Sequence, residues 1–295
     1  MLCYCSLVTF FSQEFYAVKK IAVVPTLLTL GNGICGFTAI TLASKINPVE
    51  TPAACDFYLA SAGWFIVAAM VFDMFDGYVA RLSRTASRFG GELDSLCDAV
   101  SFGVAPAFLL LKIGPGWEFS RALHQLLAGI AALYMACALL RLARFNVDNT
   151  PDPASHKRFR GLPSPGAAGC LASLAILRGG FPERLAQIWT NVDPDPARQT
   201  LIRLVEVFAP VGALVIALLM VSNVPYPHVT KQIFRGRRNL GHLIQVLMGV
   251  LIILFMRELS LFLIFWVYAL ALPLRYALVK NLRREPLPTP DALHR

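Results

Sequence analysis

Charged residues are scarce in this sequence. Only 15% of the 295 residues are charged, whereas 56% are hydrophobic, and the mean hydropathy is +0.59. Soluble domains carry about 25% charged residues, so the composition excludes an ordinary soluble protein. Long apolar runs recur along the chain, and we predict a membrane protein with several spans.

The sequence also lacks the patterns of a metal-binding or disulfide-rich cysteine protein. Seven cysteines occur without a CxxC pair, which argues against a zinc site or a disulfide framework and favours a packing role. The first residues lack a basic residue before their short apolar run and a small-residue cleavage site. We therefore expect this segment to be retained, lying at the membrane interface.

The apolar runs predict an all-α bundle of about eight transmembrane helices. Each predicted span is close to the roughly 20 residues that cross the hydrocarbon core of a bilayer, although the seventh is short. The predicted spans are residues 24–44, 58–80, 94–111, 123–141, 163–178, 205–222, 242–256 and 259–278.

Positive charges predict the orientation of this bundle. Most of the 27 Lys and Arg residues fall in alternate connecting segments, which places both termini in the cytoplasm of a multi-pass protein of the cell (inner) membrane. The net charge of +9 then faces anionic lipid head groups, and no nucleic-acid partner is expected. We expect four regions: an N-terminal cytoplasmic or interfacial segment (1–23), a catalytic six-helix core (24–222), a loop with two further spans (223–278) and a disordered cytoplasmic tail (279–295).

Four aspartates interrupt the second and third predicted spans, in the stretch FDMFDGYVARLSRTASRFGGELDSLCDAV (72–100). Asp73 and Asp76 are separated by about 60° around a helix, and Asp94 and Asp98 by about 40°, so each pair shares a face. The pair Gly90–Gly91 has the conformational freedom for a chain reversal. The sequence therefore predicts two antiparallel helices whose carboxylates face each other at the cytoplasmic end of the bundle.

Four ionised carboxylates in a medium of low dielectric constant repel one another strongly. Too few basic residues accompany them to neutralise this charge, and one or, better, two divalent cations are the natural partners. Ligation by carboxylates alone favours Mg²⁺ or Mn²⁺ over zinc, and two such ions suit a phosphoryl displacement. The alternative for a single residue is helix capping, for example by Asp94 in a first turn, but capping does not account for two pairs.

Small residues and an arginine accompany the first aspartate pair. Gly77 and Ala80 each lie one turn from an aspartate and leave space for a ligand or a neighbouring backbone. Arg81 lies one turn beyond Gly77, and its guanidinium suits a phosphate at the membrane surface.

These positions together resemble a known family. The signature of the CDP-alcohol phosphatidyltransferase family is matched at every fixed position by Asp73-x2-Asp76-Gly77-x2-Ala80-Arg81-x8-Gly90-x3-Asp94-x3-Asp98. The resemblance implies a membrane enzyme that displaces CMP from a CDP-linked lipid with an alcohol hydroxyl. It also implies two divalent cations held by Asp73, Asp76, Asp94 and Asp98, with Asp98 as general base, and it suggests a homodimer.

Flanking segments indicate the acceptor alcohol. PTLLTLGNGICGF, VSFGVAPA, LRLARFNV, GLPSPGAAG and VSNVPYPHVTK are similar to segments of the phosphatidylserine synthase branch of the family. This resemblance implies that CDP-diacylglycerol and L-serine are the substrates. It further implies that Thr29 and Asn32 in the first span bind the nucleotide part of the lipid, although these side chains can equally serve as hydrogen bonds between helices.

Two arginines favour an acceptor that carries a carboxylate. Arg141 and Arg144 are three residues apart at the inner end of the fourth span and can bind a carboxylate or a phosphate. The general excess of positive charge on the cytoplasmic side is the alternative reason for their position.

Other functions remain open at this point. Glycerol 3-phosphate or an inositol phosphate would need more cationic groups, and choline would need an aromatic cage. A cation transporter can also hold carboxylates inside a bundle, but it does not require the spacing of Gly77, Ala80 and Arg81.

Overall fold

The computed structural model describes residues 23–47, 49–83, 88–113, 121–148, 161–188, 194–222 and 256–282. In these ranges every secondary-structure element is a helix, which confirms the predicted all-α class. In chain order the helices are α1 (Val23–Ser44), α2 (Pro52–Ser83), α3 (Arg88–Asp98), a π-helix (Ala99–Val104), α4 (Ala105–Ile113), α5 (Arg121–Asp148), α6 (Ser164–Ile188), α7 (Pro194–Val221) and α8 (Arg257–Leu282).

Six helical segments of the described chain are long and apolar enough to cross a membrane. They are Val23–Ser44, Pro52–Leu82, Phe89–Ile113, Ala122–Val147, Arg198–Val221 and Arg257–Arg275, and they contain the first four predicted spans and most of the sixth and the eighth. The third segment joins α3, the π-helix and α4 into one continuous rod. The chain is therefore a multi-pass membrane protein, and the predicted seventh span lies outside the described residues.

The predicted fifth span corresponds to α6, which is not one of these six. This helix is rich in Gly, Ala and Ser near its start, and its residues from Ala167 to Gly179 are all buried. A helix enclosed by other helices needs small side chains for close packing more than it needs long apolar ones that face lipid. The average hydropathy of the sequence therefore does not reveal its central position.

The helices pack around α6. The most extensive contacts join α1 to α2, α2 to α6, α6 to α8 and α5 to α7. Close approach depends on small residues: a Cβ added at Gly36 of α1 would lie 2.7 Å from the Cα of Ser101 in the π-helix. Only glycine allows α1 to approach the π-helix this closely.

The predicted chain reversal at Gly90–Gly91 is wrong. Both glycines lie inside α3, and neither has a positive φ, so they do not form a reversal. A Cβ at Gly91 would meet nothing within 4 Å in the described structure, so this position of α3 faces open space. Glycine composition alone does not distinguish a turn from a helix with an open face.

Length places the two aspartates of α2 near one end of the bundle. The helix has 32 residues and is about 48 Å long, which exceeds the hydrocarbon thickness of about 30 Å. Asp73 lies 21 residues after Pro52, a distance of roughly 32 Å along the axis. When the start of α2 lies at one membrane surface, Asp73 and Asp76 therefore lie at the other.

Buried polar contacts close the opposite end. Both Nε and Nη2 of Arg198 donate to Asp56 Oδ2, at 2.8 and 2.5 Å, and so tie α7 to α2. Arg178 of α6 donates to the Ile113 carbonyl, and Lys112 Nζ donates to the Ile46 carbonyl at 3.0 Å. The charges of Arg198, Arg178 and Lys112 are thus paired with a carboxylate or with backbone carbonyls.

Candidate active site

Three carboxylates from two helices meet at one end of the bundle. Asp73 and Asp76 of α2 and Asp94 of α3 each offer an oxygen, and these three atoms lie within 4.8 Å of one another. The three-residue spacing puts Asp73 and Asp76 on one face of α2, and Asp94 of α3 points to that face. The predicted meeting of carboxylates from the two aspartate-bearing helices is seen for these three aspartates.

The surroundings of these carboxylates fit a bound cation. Asp76 is 5% exposed, and the buried atoms Asp76 Oδ2 and Asp94 Oδ1 have no hydrogen-bond partner in the described part of the chain. The ion pairs seen among the described residues also leave out this cluster, since they join Arg198 to Asp56 and Arg257 to Glu258. Buried anionic oxygens without a donor or a counter-ion are costly, and a hard divalent cation satisfies them.

Asp98 lies beside this group and is held separately. Its Oδ1 accepts a hydrogen bond of 2.9 Å from Asn32 Nδ2 of α1, and the charges of Asp73 and Asp94 act on its carboxylate. The structure thus groups three of the four predicted ligands, and places the fourth against α1. The hydrogen bond from Asn32 fixes Oδ1 of Asp98 and thereby orients the whole carboxylate, including Oδ2.

A π-helix begins directly after Asp98. It spans Ala99–Val104, and its Ser101 hydroxyl donates to the Asn32 carbonyl at 2.9 Å. The Tyr134 hydroxyl of α5 donates to the Phe102 carbonyl at 3.2 Å. A π-turn takes in more residues per turn than an α-turn, so side chains before and after it leave the usual register. One hydrogen bond to α1 and one from α5 therefore fix the segment that follows Asp98.

The residues predicted on the nucleotide side lie around the same cluster. The Thr29 hydroxyl donates to the Pro25 carbonyl at 3.0 Å and also lies beside the Asp76 carboxylate, and its single proton can serve either acceptor. A Cβ at Gly77 would meet only the exposed Arg81 side chain in the described structure, with Nη1 at 3.4 Å. Ala80, one turn from Asp76, is half-buried. This face of α2 is therefore open above the carboxylates, with a guanidinium at its edge.

The two arginines predicted to bind the acceptor have different surroundings. Arg141 is half-buried, its Nη1 donates to Ser164 Oγ at 2.9 Å, and its charge interacts with Asp98. Its buried Nε has no partner among the described residues. Arg144 is exposed. The Arg141 guanidinium thus lies at the start of α6, within electrostatic range of Asp98, whereas Arg144 lies at the surface of α5.

Several residues around the site carried no clear signal in the sequence. Ser101 and Ser164 fall in the segments VSFGVAPA and GLPSPGAAG, but helix periodicity does not reveal which partner they contact. Tyr134 is fully buried in α5, and in the sequence it does not differ from the other residues of an apolar transmembrane span. Tyr268 of α8, more than 100 residues after Ser164 in the chain, packs near the start of α6. All four depend on contacts between helices.

Comparison with known proteins identifies the family. The family model for CDP-alcohol phosphatidyltransferases matches residues 22–193, which include helices α1 to α6 and all the site residues predicted from the sequence. The chain belongs to the CDP-alcohol phosphatidyltransferase family. This is a family of metal-dependent phosphotransferases. The match of the family model to this chain confirms the resemblance that was based on the aspartate spacing.

Similar proteins carry a more specific name. The chain is 33% identical over 219 residues to the CDP-diacylglycerol–serine O-phosphatidyltransferase of Methanocaldococcus jannaschii, covering 74% of this chain and 81% of that protein. It is 33% identical over 215 residues to the Helicobacter pylori (strain ATCC 700392 / 26695) protein of the same name, covering 72% and 76%. For the Bacillus subtilis protein of that name, the identity is 32% over 211 residues, covering 70% and 92%.

This CDP-alcohol phosphatidyltransferase therefore has its carboxylate cluster inside the segment that defines the family. Helices α7 and α8 lie beyond residue 193 and outside that segment. They nevertheless pack against α5 and α6, and so form part of the same bundle.

Proposed function

We propose that this protein transfers the phosphatidyl group from CDP-diacylglycerol to the hydroxyl of L-serine, giving phosphatidylserine and CMP. The observation that carries this proposal is the Arg141 guanidinium, half-buried, bonded to Ser164 Oγ and within electrostatic range of Asp98. A guanidinium pairs well with a carboxylate, the group that distinguishes serine from a simple alcohol. The names of the three similar proteins support the same acceptor.

Asp73, Asp76 and Asp94 would hold two Mg²⁺ or Mn²⁺ ions, and Asp98 contributes a ligand on the acceptor side. When bound, such ions neutralise the phosphate oxygens and stabilise the charge that develops on the transferred phosphoryl group and the departing CMP. Thr29, Asn32, Gly77, Ala80 and Arg81 surround the space in which the CDP-diacylglycerol head group binds. Arg81 pairs with phosphate at the membrane surface.

The chemical step is a direct displacement. Asp98 removes the proton from the serine hydroxyl, and the serine oxygen forms a bond to the phosphorus that carries diacylglycerol. The bond from that phosphorus to the bridging oxygen breaks, and CMP leaves with the electron pair. The bond from Asn32 keeps one oxygen of Asp98 occupied, so the other oxygen can accept the proton.

The acceptor proposal makes a prediction for the two arginines. Arg141→Ala should raise the KM for serine by about 10-fold or more and change the KM for CDP-diacylglycerol less, because a charged hydrogen bond to the carboxylate is lost. Arg144→Ala is the matched control, since it removes the same side chain one turn away from an exposed position. Steady-state kinetics with each substrate varied will measure both values. An equal rise for the two substrates in Arg141→Ala would assign this arginine to the phosphate side.

Release of CMP tests the function directly. Purified protein with CDP-diacylglycerol and Mn²⁺ should release CMP when L-serine is added. It should not do so with glycerol 3-phosphate, an inositol phosphate or choline. Release with one of these other alcohols alone would keep the reaction type and refute serine. If no alcohol gave CMP and the ions crossed vesicle membranes, the protein would be a cation transporter.

We further propose that the carboxylate cluster lies at the cytoplasmic face of the cell (inner) membrane, with both termini cytoplasmic. The distribution of Lys and Arg supports this orientation. The four regions expected from the sequence, with the catalytic core at 24–222, and the homodimer suggested by the family resemblance remain predictions.

Two valines offer a matched test of orientation. Val49 is 95% exposed in the connection between α1 and α2, and Val147 is 71% exposed near the end of α5. In a cysteine-free background, Val49→Cys should react with a membrane-impermeant maleimide added to intact cells. Val147→Cys should react only after the membrane is opened. Reaction of both from the same side would contradict the arrangement.

A further inference from the structure

Tyr268 of α8 lies at the start of α6, close to the arginine that the proposed function assigns to the acceptor, although α8 is outside the segment that defines the family. A Cβ added at Gly166 would lie 3.2 Å from Tyr268 Cε1, so the tyrosine ring packs on the first turn of α6. Two residues earlier, Ser164 accepts the hydrogen bond from Arg141. The ring and the guanidinium therefore lie at the same helix start.

Arg141 connects Tyr268 to the reacting centre. The guanidinium charge interacts with the Tyr268 phenol and with the Asp98 carboxylate. Its Nη1 is directed to Ser164, which leaves the buried Nε and the remaining N–H groups to other partners. A phenol oxygen beside a guanidinium can accept one of these N–H groups and so restrict its rotation.

The neighbours of Tyr268 hold α8 firmly in place. Trp266 Nε1 donates to the Cys170 carbonyl at 3.2 Å, and Cys170 Sγ donates to the Phe265 carbonyl at 3.4 Å. The Phe265 ring lies against Gly169, where a side chain on α6 would leave no room for it. These contacts just before Tyr268 set the distance between α8 and α6, and with it the position of the phenol.

We propose that Tyr268 is a positioning residue of the acceptor subsite, whose hydroxyl orients the Arg141 guanidinium towards the carboxylate of the amino-acid acceptor beside Asp98. This inference rests on the proposed function. It means that a helix outside the family segment takes part in the selection of the acceptor, whereas the carboxylate cluster in α2 and α3 carries the shared chemistry.

Tyr268→Phe tests the proposal because it keeps the ring on Gly166 and removes only the hydroxyl. We expect the KM for serine to rise by about 10-fold, the scale of one hydrogen bond to a charged group. The KM for CDP-diacylglycerol and the Tm should stay at the wild-type values. Tyr58→Phe is the matched control, since Tyr58 lies at the other end of the bundle with its ring 5.5 Å from Lys45 Nζ.

A double variant separates positioning from a direct contact or a structural role. If Tyr268 acts through Arg141, Tyr268→Phe should raise the KM for serine no further when Arg141 is already alanine. An unchanged KM for serine in Tyr268→Phe, or equal changes for both substrates with a lower Tm, would overturn the proposal. So would full additivity with Arg141→Ala.

The two proposals fail in different ways. Wild-type protein that releases no CMP on addition of serine refutes the proposed function, and the role of Tyr268 is refuted with it. Wild-type protein that uses serine normally, together with a Tyr268→Phe variant of unchanged KM, refutes the role of Tyr268 alone.

Discussion

Asp98→Asn should lower the single-turnover rate by about 10² to 10⁴-fold, the usual contribution of a general base. The substitution is nearly isosteric, and the amide oxygen can still accept the hydrogen bond that Asn32 Nδ2 donates to this position. The variant also removes one of four neighbouring negative charges, so we expect it to fold. CMP affinity should remain near the wild-type value because Asp73, Asp76 and Asp94 are intact.

Asp73→Asn is the comparison for this variant. Asp73 belongs to the group of three carboxylates whose oxygens lie within 4.8 Å of one another, so its loss should weaken metal and nucleotide binding together. Both variants are measured at saturating Mn²⁺, by CMP titration and by single-turnover kinetics. Near wild-type turnover in Asp98→Asn would place the base elsewhere. A loss of CMP binding as large as that of Asp73→Asn would make Asp98 chiefly a ligand.

Removal of divalent cations should abolish turnover, and Mg²⁺ or Mn²⁺ should restore it. The reason is the buried oxygens of Asp76 and Asp94, which have no donor in the described part of the chain. Asp94→Asn should lower the affinity for Mn²⁺ by more than the roughly 10 to 100-fold that loss of an outer-shell partner costs. Titration of the EDTA-treated protein with Mn²⁺, followed by electron paramagnetic resonance, measures this affinity without an activity assay.

Glu92→Gln is the matched control for Asp94→Asn. It makes the same change of charge two residues away on α3, but Glu92 is exposed and is not part of the carboxylate group. Its Mn²⁺ affinity should equal that of the wild-type protein. Full activity in the EDTA-treated protein, or equal losses of affinity in the two variants, would contradict a metal site at Asp94.

The hydrogen bonds around the π-helix explain why Asp98 can differ from its neighbours. Asn32 and Ser101 are both 0% exposed. Asn32 Nδ2 donates to the Asp98 carboxylate, and the Ser101 hydroxyl donates to the Asn32 carbonyl. The position of the Asp98 carboxylate is fixed by α1, whereas Asp73, Asp76 and Asp94 face one another between α2 and α3. Asp98 can therefore serve a different role from these three. This arrangement supports the assignment of Asp98 as base.

The sequence by itself determined the kind of protein and the carboxylates of its candidate site. Low charge and recurring apolar runs require a membrane protein, because such a chain has no other way to bury its surface. The spacing of Asp73, Asp76 and Asp94 was sufficient to predict a shared site, since helix periodicity fixes which residues of one helix share a face.

Only the tertiary structure decided which side chains of different helices meet. Asn32 and Asp98 are 66 residues apart, and Arg141 and Tyr268 are further apart still, so no local period relates them. The central place of α6, the helical state of Gly90–Gly91 and the π-turn after Asp98 also depend on packing. The physical reason is that a helix sets the angle of a side chain about its own axis, whereas the rotation, tilt and depth of that axis are set by the neighbouring helices.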